Sequence, residues 1–372
     1  MAKETAPGEA RVALVPELIA KLTSVGAEVT IQASAGLGCM ITDEAYAAAG
    51  AVVEANPTVG ADVMISVQPL DPATVHALRP GAATISFFPA NQRLADVVGR
   101  RDQRLTTFAM EYVPRISRAQ SMDALSSQSL VAGYRAAIVA ASRLRQFFPL
   151  SMTAAGTVRP AQVVVLGAGV AGLQAIATCR RLGAQVLGYD VRAAAAEEIR
   201  SMGAQAIELD LPTLEGAGGY AREMSEERAL RQRELLTPFI AAADALITTA
   251  AVPGRLAPIL VTTTMVEQMR PGSVVVDLAA ESGGNVEGVV AGSVVVMGAA
   301  QVWGGANVPS QMPAPASALY AQNVVNVLLL MTAAGAFAPD FADEIVAGMC
   351  VTHDGSVTHR PTLDLLEGGL HG

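Results

Sequence analysis

The sequence predicts an α/β protein with two doubly wound parallel-sheet domains joined by long helices. Short apolar runs of strand length alternate with helical patterns along all 372 residues, which is typical of parallel α/β folding. That length exceeds what one hydrophobic core usually fills, so we expect two domains. Hydrophobic residues make up 51% of the chain but aromatic residues only 4%. The cores must therefore consist of small aliphatic side chains, which suit helices packed on a parallel sheet.

The first domain is predicted to comprise residues 1–128 together with 325–372. Helical patterns cover 16–25 and 43–49, and glycine or proline marks most of the joints between elements. Its strands are predicted at 28–32, 62–67, 83–87 and 105–110.

Two long apolar helices, over 122–148 and 316–334, are predicted to link the domains. A helix of about 25 residues spans almost 40 Å, which is more than one small domain requires. The second domain is predicted over 135–315, with helices at 172–182 and 193–202 and a further helix before residue 245. Its strands are predicted at 162–166, 185–189, 205–208, 245–249, 273–278 and 293–297.

Composition and charge exclude several classes of function. The net charge is −9 and no run of lysine and arginine occurs, so we expect no nucleic-acid partner. The three cysteines lie far apart, which favours neither a disulfide framework nor a metal site. No signal peptide is visible, and the most apolar window, 324–338, is shorter than the roughly 20 residues that cross a bilayer. We therefore expect no direct membrane insertion.

The most informative motif is Gly-Ala-Gly-Val-Ala-Gly at 167–172, between a predicted strand and a predicted helix. In a dinucleotide site the first glycine permits the tight turn, the second lets the backbone approach the pyrophosphate, and the third lets the helix pack on the strand. The helix N-terminus then faces the phosphates. This predicts a Rossmann-like cofactor site whose loop contacts are Gly167, Ala168, Gly169, Val170 and Gly172.

An acidic residue at the end of the next strand indicates which dinucleotide binds. Asp190 lies 23 residues after Gly167, where a carboxylate accepts hydrogen bonds from the adenosine ribose and repels a 2′-phosphate. NAD(H) is therefore favoured over NADP(H), with Val191 and Arg192 as neighbouring contacts, Arg192 on the adenine side or at the surface. A tight turn without a cofactor, an FAD site and an S-adenosyl site remain alternatives.

Several further segments resemble one enzyme family. Residues 3–14, Lys-Glu-Thr-Ala-Pro-Gly-Glu-Ala-Arg-Val-Ala-Leu, and 277–285, Asp-Leu-Ala-Ala-Glu-Ser-Gly-Gly-Asn, are similar to signatures of alanine dehydrogenases and proton-translocating NAD(P) transhydrogenases. Residues 114–128 resemble a loop of the NAD(H)-binding domain of transhydrogenase, in its separate soluble alpha-subunit form. Residues 189–192 and 218–224 resemble further segments of that domain, the latter its mobile loop. The resemblance covers essentially the whole chain.

The resemblance implies hydride transfer between NADH bound here and NADP⁺ held on a partner, coupled to proton translocation by membrane subunits. By the same resemblance, Gln120 reaches toward the partner's nicotinamide and Ser126 bonds the carboxamide. Two bland alternatives stay open: Asp123 or Ser121 caps the long helix, and 220–233 is a solvated helix face. The residues implied at the nicotinamide end are Arg115, Gln120, Asp123 and Ser126, and the further cofactor contacts are Tyr220, Met224 and Ala250.

The implied partners are an NADP(H)-binding membrane beta subunit, a small membrane alpha subunit and a second copy of this chain. The implied location is cytoplasmic, peripheral on the inner face of the plasma membrane. An alanine dehydrogenase is the first alternative, but its lysine would fall near 66–68 and its histidine within 87–91, and neither segment contains one. A non-catalytic NAD-sensing module is the second alternative.

Overall fold

The computed structural model describes residues 1–211, 226–251, 255–333 and 335–368. The chain divides into two compact units. Unit 1 comprises Met1–Gln128 and Pro309–Gly372, and unit 2 comprises Ser129–Val308.

The N-terminal region of unit 1 alternates strands and helices. Several helices begin at an identifiable cap: the Asp71 carboxylate, for example, accepts a hydrogen bond from Thr74 N at 3.0 Å. The strands are β1 (Thr30–Gln32), β2 (Val52–Glu54), β3 (Val63–Ile65), β4 (Ala83–Ser86) and β5 (Thr106–Ala109). The helices are α1 (Pro16–Thr23), α2 (Asp43–Ala48), α3 (Pro72–Ala77) and α4 (Leu94–Asp102).

The chain passes from unit 1 to unit 2 within the helix α5 (Ala124–Arg143). The strands of unit 2 are β6 (Ser151–Thr153), β7 (Gly156–Val158), β8 (Gln162–Leu166), β9 (Gln185–Tyr189), β10 (Gln205–Ala206), β11 (Ala245–Thr248), β12 (Val274–Asp277), β13 (Val294–Met297) and β14 (Ala300–Gly304). Its other helices are α6 (Val170–Arg181), α7 (Ala195–Ser201), α8 (Glu226–Ala242) and α9 (Thr263–Glu267).

The main sheet of unit 2 has the strand order β10-β9-β8-β11-β12-β14-β13. The first six of these strands are parallel neighbours, and only the edge strand β13 runs antiparallel to β14. The strand predicted at 293–297 therefore exists but is not the next parallel strand. That position belongs to β14, which the sequence pattern did not predict. The chain order reverses between β8 and β11, which creates a topological switch point there.

The apolar run of β8 is explained by burial on both faces of the sheet. Val163 and Val165 pack into one hydrophobic cluster, whereas Val164 and Leu166 pack into a second on the opposite face. All four side chains are fully buried, and each such burial stabilises the fold by about 1.5–3 kcal/mol. A parallel strand with helices on both sides needs this unbroken apolar sequence.

The C-terminal region returns to unit 1. The long helix predicted at 316–334 is observed as α10 and lies within this unit, where Tyr320 and Val324 belong to the core. Among the described residues, no helix is both long and apolar enough to cross a membrane. The elements are α10 (Pro313–Leu330), β15 (Thr332–Ala333), β16 (Ala336–Phe337), α11 (Glu344–Met349), β17 (Cys350–His353), β18 (Ser356–Val357) and α12 (Arg360–Gly368).

The sheet of unit 1 has the order β18-β17-β5-β4-β3, in which β3, β4 and β5 are parallel and β17 and β18 antiparallel. The parallel pair β1-β2 is separate from it. Residues 1–2 lie between the two: Met1 N donates to Thr30 O at 2.6 Å, and Ala2 N donates to Ile65 O at 3.1 Å. Both units are thus α/β with parallel-strand sheets, which confirms the predicted fold class.

Candidate dinucleotide-binding site

The glycine loop of unit 2 lies at the switch point of its sheet. It connects the carboxyl end of β8 to α6, and the neighbouring strand on the other side is β11. In open α/β sheets, ligands bind in the crevice outside the strand ends at such a point. Topology alone therefore makes this edge the candidate site of unit 2.

The three glycines fit the roles predicted for a pyrophosphate cradle. Gly167 has φ +97°, and a Cβ there would lie 2.5 Å from Thr249 Oγ1. A Cβ on Gly172 would lie 1.8 Å from the carbonyl oxygen of Gly167, so helix and loop pack too closely for any side chain. At Gly169, by contrast, a Cβ would meet no protein atom within 4 Å. Two glycines serve close packing, and the third leaves open space where a phosphate can approach the backbone.

The helix that follows presents its N-terminus to this space. Gly169 is the N-cap of α6, and no side chain caps the helix there. Backbone N–H groups of the first turn are consequently directed at the loop and favour an anion. Ala168 is buried, whereas Val170 is 41% exposed beside the open space.

Asp190, at the end of β9, is tied to the glycine loop. Its Oδ2 accepts a hydrogen bond from Ala168 N at 2.8 Å, and its Oδ1 accepts from Arg192 N at 2.9 Å and Arg192 Nε at 3.0 Å. The guanidinium also donates to Ala168 O at 3.1 Å. The hydrogen bond to Asp190 raises the pKa of Arg192 above its ordinary value. The predicted ribose acceptor and Arg192 therefore form one unit, and Val191 beside them packs against the core.

The opposite wall of the switch point is formed by the end of β11. Thr249 Oγ1 donates to the Gly167 carbonyl oxygen at 3.2 Å, which links this strand end to the glycine loop. The next residue, Ala250, was predicted to contact the cofactor. Its N–H donates to Asn285 Oδ1 at 2.9 Å and its C=O accepts from Asn285 Nδ2 at 2.7 Å. Ala250 therefore has its backbone groups bonded to protein, and only its methyl group remains to contact a ligand.

Asn285 is a site residue whose role the sequence did not reveal. The motif at 277–285 contains it, but only the fold brings it to Ala250, 35 residues away in the chain. The available signal was an amide following Gly-Gly after a buried strand.

The predicted nicotinamide-end residues belong to a loop of unit 1. Arg115 and Gln120 are exposed. Asp123 immediately precedes α5, and its carboxylate accepts hydrogen bonds from Ser126 N at 2.9 Å and Ser126 Oγ at 2.6 Å. Asp123 thus caps the long helix, which is one of the two alternatives the sequence left open. The structure brings Asp123 and Ser126 together.

Other contacts hold this loop within unit 1. Arg118 forms a two-point ion pair with Asp343, with both N–O distances 2.8 Å. This pairing lowers the pKa of Asp343 to about 2. Asn323 and Asn326 both donate to Ser121 O at 2.9 Å. The loop backbone is therefore fixed around the exposed Arg115 and Gln120. Tyr220 and Met224, also predicted to contact the cofactor, lie outside the described residues.

The N-terminal signature forms a buried charged cluster at the carboxyl end of β3. Glu4 accepts hydrogen bonds from Val67 N and Gln68 N, and burial raises its pKa to about 7. Burial also opposes ionisation of Glu9, but the ion pair with Arg11, at 2.6 Å, outweighs it and holds the pKa of Glu9 at about 2. Gln68 Nε2 donates to Glu9 at 2.9 Å. The position predicted for an alanine-dehydrogenase lysine thus carries a neutral amide committed to this cluster.

The likeness to known proteins agrees with these features. Residues 1–132 match the family described as alanine dehydrogenase/PNT, N-terminal domain, and residues 136–360 match its C-terminal domain. The chain belongs to the alanine dehydrogenase/PNT family. This confirms the resemblance that the sequence motifs indicated.

Individual members of the family differ in their similarity to this chain. The first polypeptide of the NAD(P) transhydrogenase subunit alpha of Rhodospirillum rubrum is 45% identical over 96% of this chain and 96% of its own. An alanine dehydrogenase of Mycobacterium tuberculosis is 33% identical over 77% of this chain and 73% of its own. Among solved structures, the transhydrogenase of Sinorhizobium meliloti superposes with a TM-score of 0.88 at 45% identity, covering 96% of this chain and 98% of that one.

Proposed function

We propose that this chain is the NAD(H)-binding subunit of a proton-translocating transhydrogenase and passes hydride between its own NADH and NADP⁺ held on a partner subunit. The observation that carries the proposal is the glycine cradle of unit 2. It combines two positions closed to any side chain with one open position at an uncapped helix N-terminus. The near full-length similarity to a transhydrogenase alpha subunit supports the choice of reaction.

The cradle supports binding of a dinucleotide through Gly167, Ala168, Gly169, Val170 and Gly172. Backbone N–H groups would bind the pyrophosphate, and the helix dipole would stabilise its charge. Asp190 would bind the adenosine ribose, with Val191, Arg192 and Ala250 beside the nucleotide. The nicotinamide ring supplies the hydride chemistry, while the protein binds, orients and excludes water.

The residue content of unit 2 supports direct hydride exchange over amine oxidation. Oxidation of an amine to an imine needs a proton acceptor, usually histidine or lysine, whereas hydride transfer between two rings needs none. Unit 2 contains neither histidine nor lysine anywhere in its sequence, since Lys3, Lys21 and all four histidines lie in unit 1. Arg115, Gln120, Asp123 and Ser126 would instead orient the nicotinamide by polar contacts.

A reconstitution experiment tests the reaction. Purified chain is mixed with the NADP(H)-binding subunit, and reduction of an NADP⁺ analogue with a distinct absorbance is followed with NADH as donor. We expect turnover that neither protein gives alone, and a much lower rate for Gln120→Asn with unchanged NADH affinity. No turnover in the mixture would contradict the proposal. NADH oxidation with pyruvate and ammonia would indicate an alanine dehydrogenase, and full activity of Gln120→Asn would remove the nicotinamide role of that loop.

Nucleotide preference tests the role of Asp190. We expect the chain to bind NADH more tightly than NADPH, because the carboxylate repels a 2′-phosphate. Asp190→Asn should narrow this preference, since it removes that repulsion and weakens the hold on Arg192, whose guanidinium can then meet a 2′-phosphate. Equal binding of the two nucleotides by the unchanged chain would contradict the assignment.

We further propose the assembly that such a reaction requires. The partners would be the NADP(H)-binding membrane beta subunit and a small membrane alpha subunit, with this chain cytoplasmic and peripheral on the inner face of the plasma membrane. A homodimer is supported by exposed apolar side chains on and beside the hairpin β6–β7. Phe147, Leu150 and Met152 are 57%, 54% and 74% exposed. Sedimentation of the chain with membranes containing the partner subunits, and not with bare vesicles, is the expected result.

A further inference from the structure

The wall of the candidate site at the end of β11 depends on one buried amide, Asn285. The side chain is fully buried. Its Oδ1 accepts from Ala250 N, and its Nδ2 donates to Ala250 O at 2.7 Å and to Pro258 O at 2.9 Å. One side chain therefore holds both backbone groups of Ala250 and ties them to Pro258, so its hydrogen-bonding capacity is fully used.

The backbone of Asn285 is itself fixed. Asp277 Oδ2 accepts hydrogen bonds from Asn285 N at 2.7 Å and Val286 N at 3.0 Å, and Oδ1 accepts from Ala279 N at 2.8 Å. The carbonyl oxygen of Asn285 accepts from Leu260 N and Val261 N at 2.8 and 3.0 Å. The amide thus projects from a turn that cannot shift without breaking several buried hydrogen bonds.

What Asn285 fixes is a section of the cofactor edge. A Cβ on Gly167 would lie 3.2 Å from Ala250 N, so the Ala250 peptide abuts the glycine loop directly. Asp190 marks the adenosine side, at β9. In a doubly wound sheet the other half of a dinucleotide lies across the switch point, which here is the β11 side.

We propose that Asn285 is a positioning residue for the nicotinamide half of the dinucleotide, because it fixes the Ala250 peptide against which that half lies. The proposal rests on the proposed function, since it assumes that unit 2 binds NAD(H). It assigns Asn285 no contact with the reacting atoms. Its effect should therefore be confined to ligands that extend past the pyrophosphate.

The test compares two ligands on the purified full-length chain. NADH spans both halves of the site, whereas ADP-ribose lacks the nicotinamide ring. Asn285→Asp keeps the size of the side chain but removes both donated hydrogen bonds. We expect the Kd for NADH to rise about tenfold and that for ADP-ribose to change less than about threefold, both measured by calorimetry.

A matched control separates positioning from general destabilisation. Asp244 lies just before β11, at the opposite end of the same strand, and accepts hydrogen bonds from Arg159, Arg270 and Gln162 N, each at 2.9 Å. Asp244→Asn also breaks a buried polar network but should leave the Kd for both ligands near that of the unchanged chain. Equal weakening of both ligands by Asn285→Asp, or the same NADH effect in Asp244→Asn, would overturn the proposal, as would no effect of Asn285→Asp.

Hydrogen exchange keeps the proposal testable if Asn285→Asp does not fold. In the unchanged chain the Ala250 amide should exchange slowly even without nucleotide, because it is bonded to Asn285. Rapid exchange of this amide would overturn the proposal. Failure of the proposed function is distinct, since the unchanged chain would then bind neither NADH nor ADP-ribose.

Discussion

Replacement of Gly133 by alanine should destabilise unit 2, although alanine is the better helix former. Gly133 lies within α5, and a Cβ added there would lie 2.1 Å from the Ala171 carbonyl oxygen and 2.9 Å from its Cα. Ordinary contact begins at 3.4 Å, and the obstructing atoms are backbone, so the two helices would have to separate by roughly 1 Å. Ala171 is in the first turn of α6, and the displacement would therefore reach the glycine loop.

The magnitude follows from two opposing effects. Overpacking of this kind costs about 1–3 kcal/mol, and the better helix propensity of alanine recovers up to about 1 kcal/mol. A net loss of about 1–2 kcal/mol should lower the melting temperature of unit 2 by roughly 4 °C. Gly99 in α4 is the matched control, because a Cβ there meets nothing within 4 Å. Gly99→Ala should stabilise unit 1 by about 0.5–1 kcal/mol.

Differential scanning calorimetry of the two variants, with and without NADH, measures both effects. We expect opposite shifts in melting temperature, and a smaller NADH-induced stabilisation for Gly133→Ala than for Gly99→Ala. A melting temperature of Gly133→Ala equal to or above that of the unchanged chain would refute the packing argument. Lower stability with unchanged NADH affinity would show that α5 moves and α6 does not.

Three further predictions concern binding, pH and assembly. Gly169→Ala should raise the Kd for NADH at least about tenfold with little change in melting temperature, because the added methyl group meets only ligand space; an unchanged Kd would place the pyrophosphate elsewhere. Burial raises the pKa of Glu111 to about 7, so its protonated form is favoured by folding, and this contribution is lost as the pH rises through about 7. Urea midpoints of unit 1 should therefore fall between pH 5 and pH 8, and Glu111→Gln, which keeps an acceptor for Phe88 N, should reduce the fall by roughly 1–2 kcal/mol. Met152→Asp, on the exposed hairpin, should shift the chain toward monomer in sedimentation, whereas a dimer of unchanged stability would remove this hairpin from the interface.

The strand–loop–helix unit of the candidate site could be predicted from the sequence because its determinants are local. The apolar run of β8, the glycine spacing and the start of α6 lie within about 20 consecutive residues, and each glycine meets a neighbour or a space that the motif specifies. Asp190 follows at the end of the next strand, where the parallel connection had to place it. Local periodicity and chain order were sufficient.

The order of strands at the other edge of this sheet could not be predicted in the same way. β13 and β14 are both apolar and form a hairpin across Gly298, which has φ +57°. Which of them joins β12 depends on pairing with a strand far back in the chain, and no local pattern encodes that choice. The prediction assigned the first run and missed the second. In unit 1, β17 and β18 were missed for the same reason, since β17 pairs with β5 from the far end of the chain.

The loop of unit 1 shows why a motif gives residue types more securely than residue roles. Asp123 and Ser126 were predicted as two separate contacts to the nicotinamide, yet both oxygens of the Asp123 carboxylate bind Ser126 at the start of α5. A carboxylate that caps a helix is held in one orientation, and its remaining lone pairs then point in directions set by the helix. Capping and nicotinamide binding are therefore compatible, but a substitution at either residue changes the other. Their contributions should be separated by a double-mutant cycle and not by single substitutions.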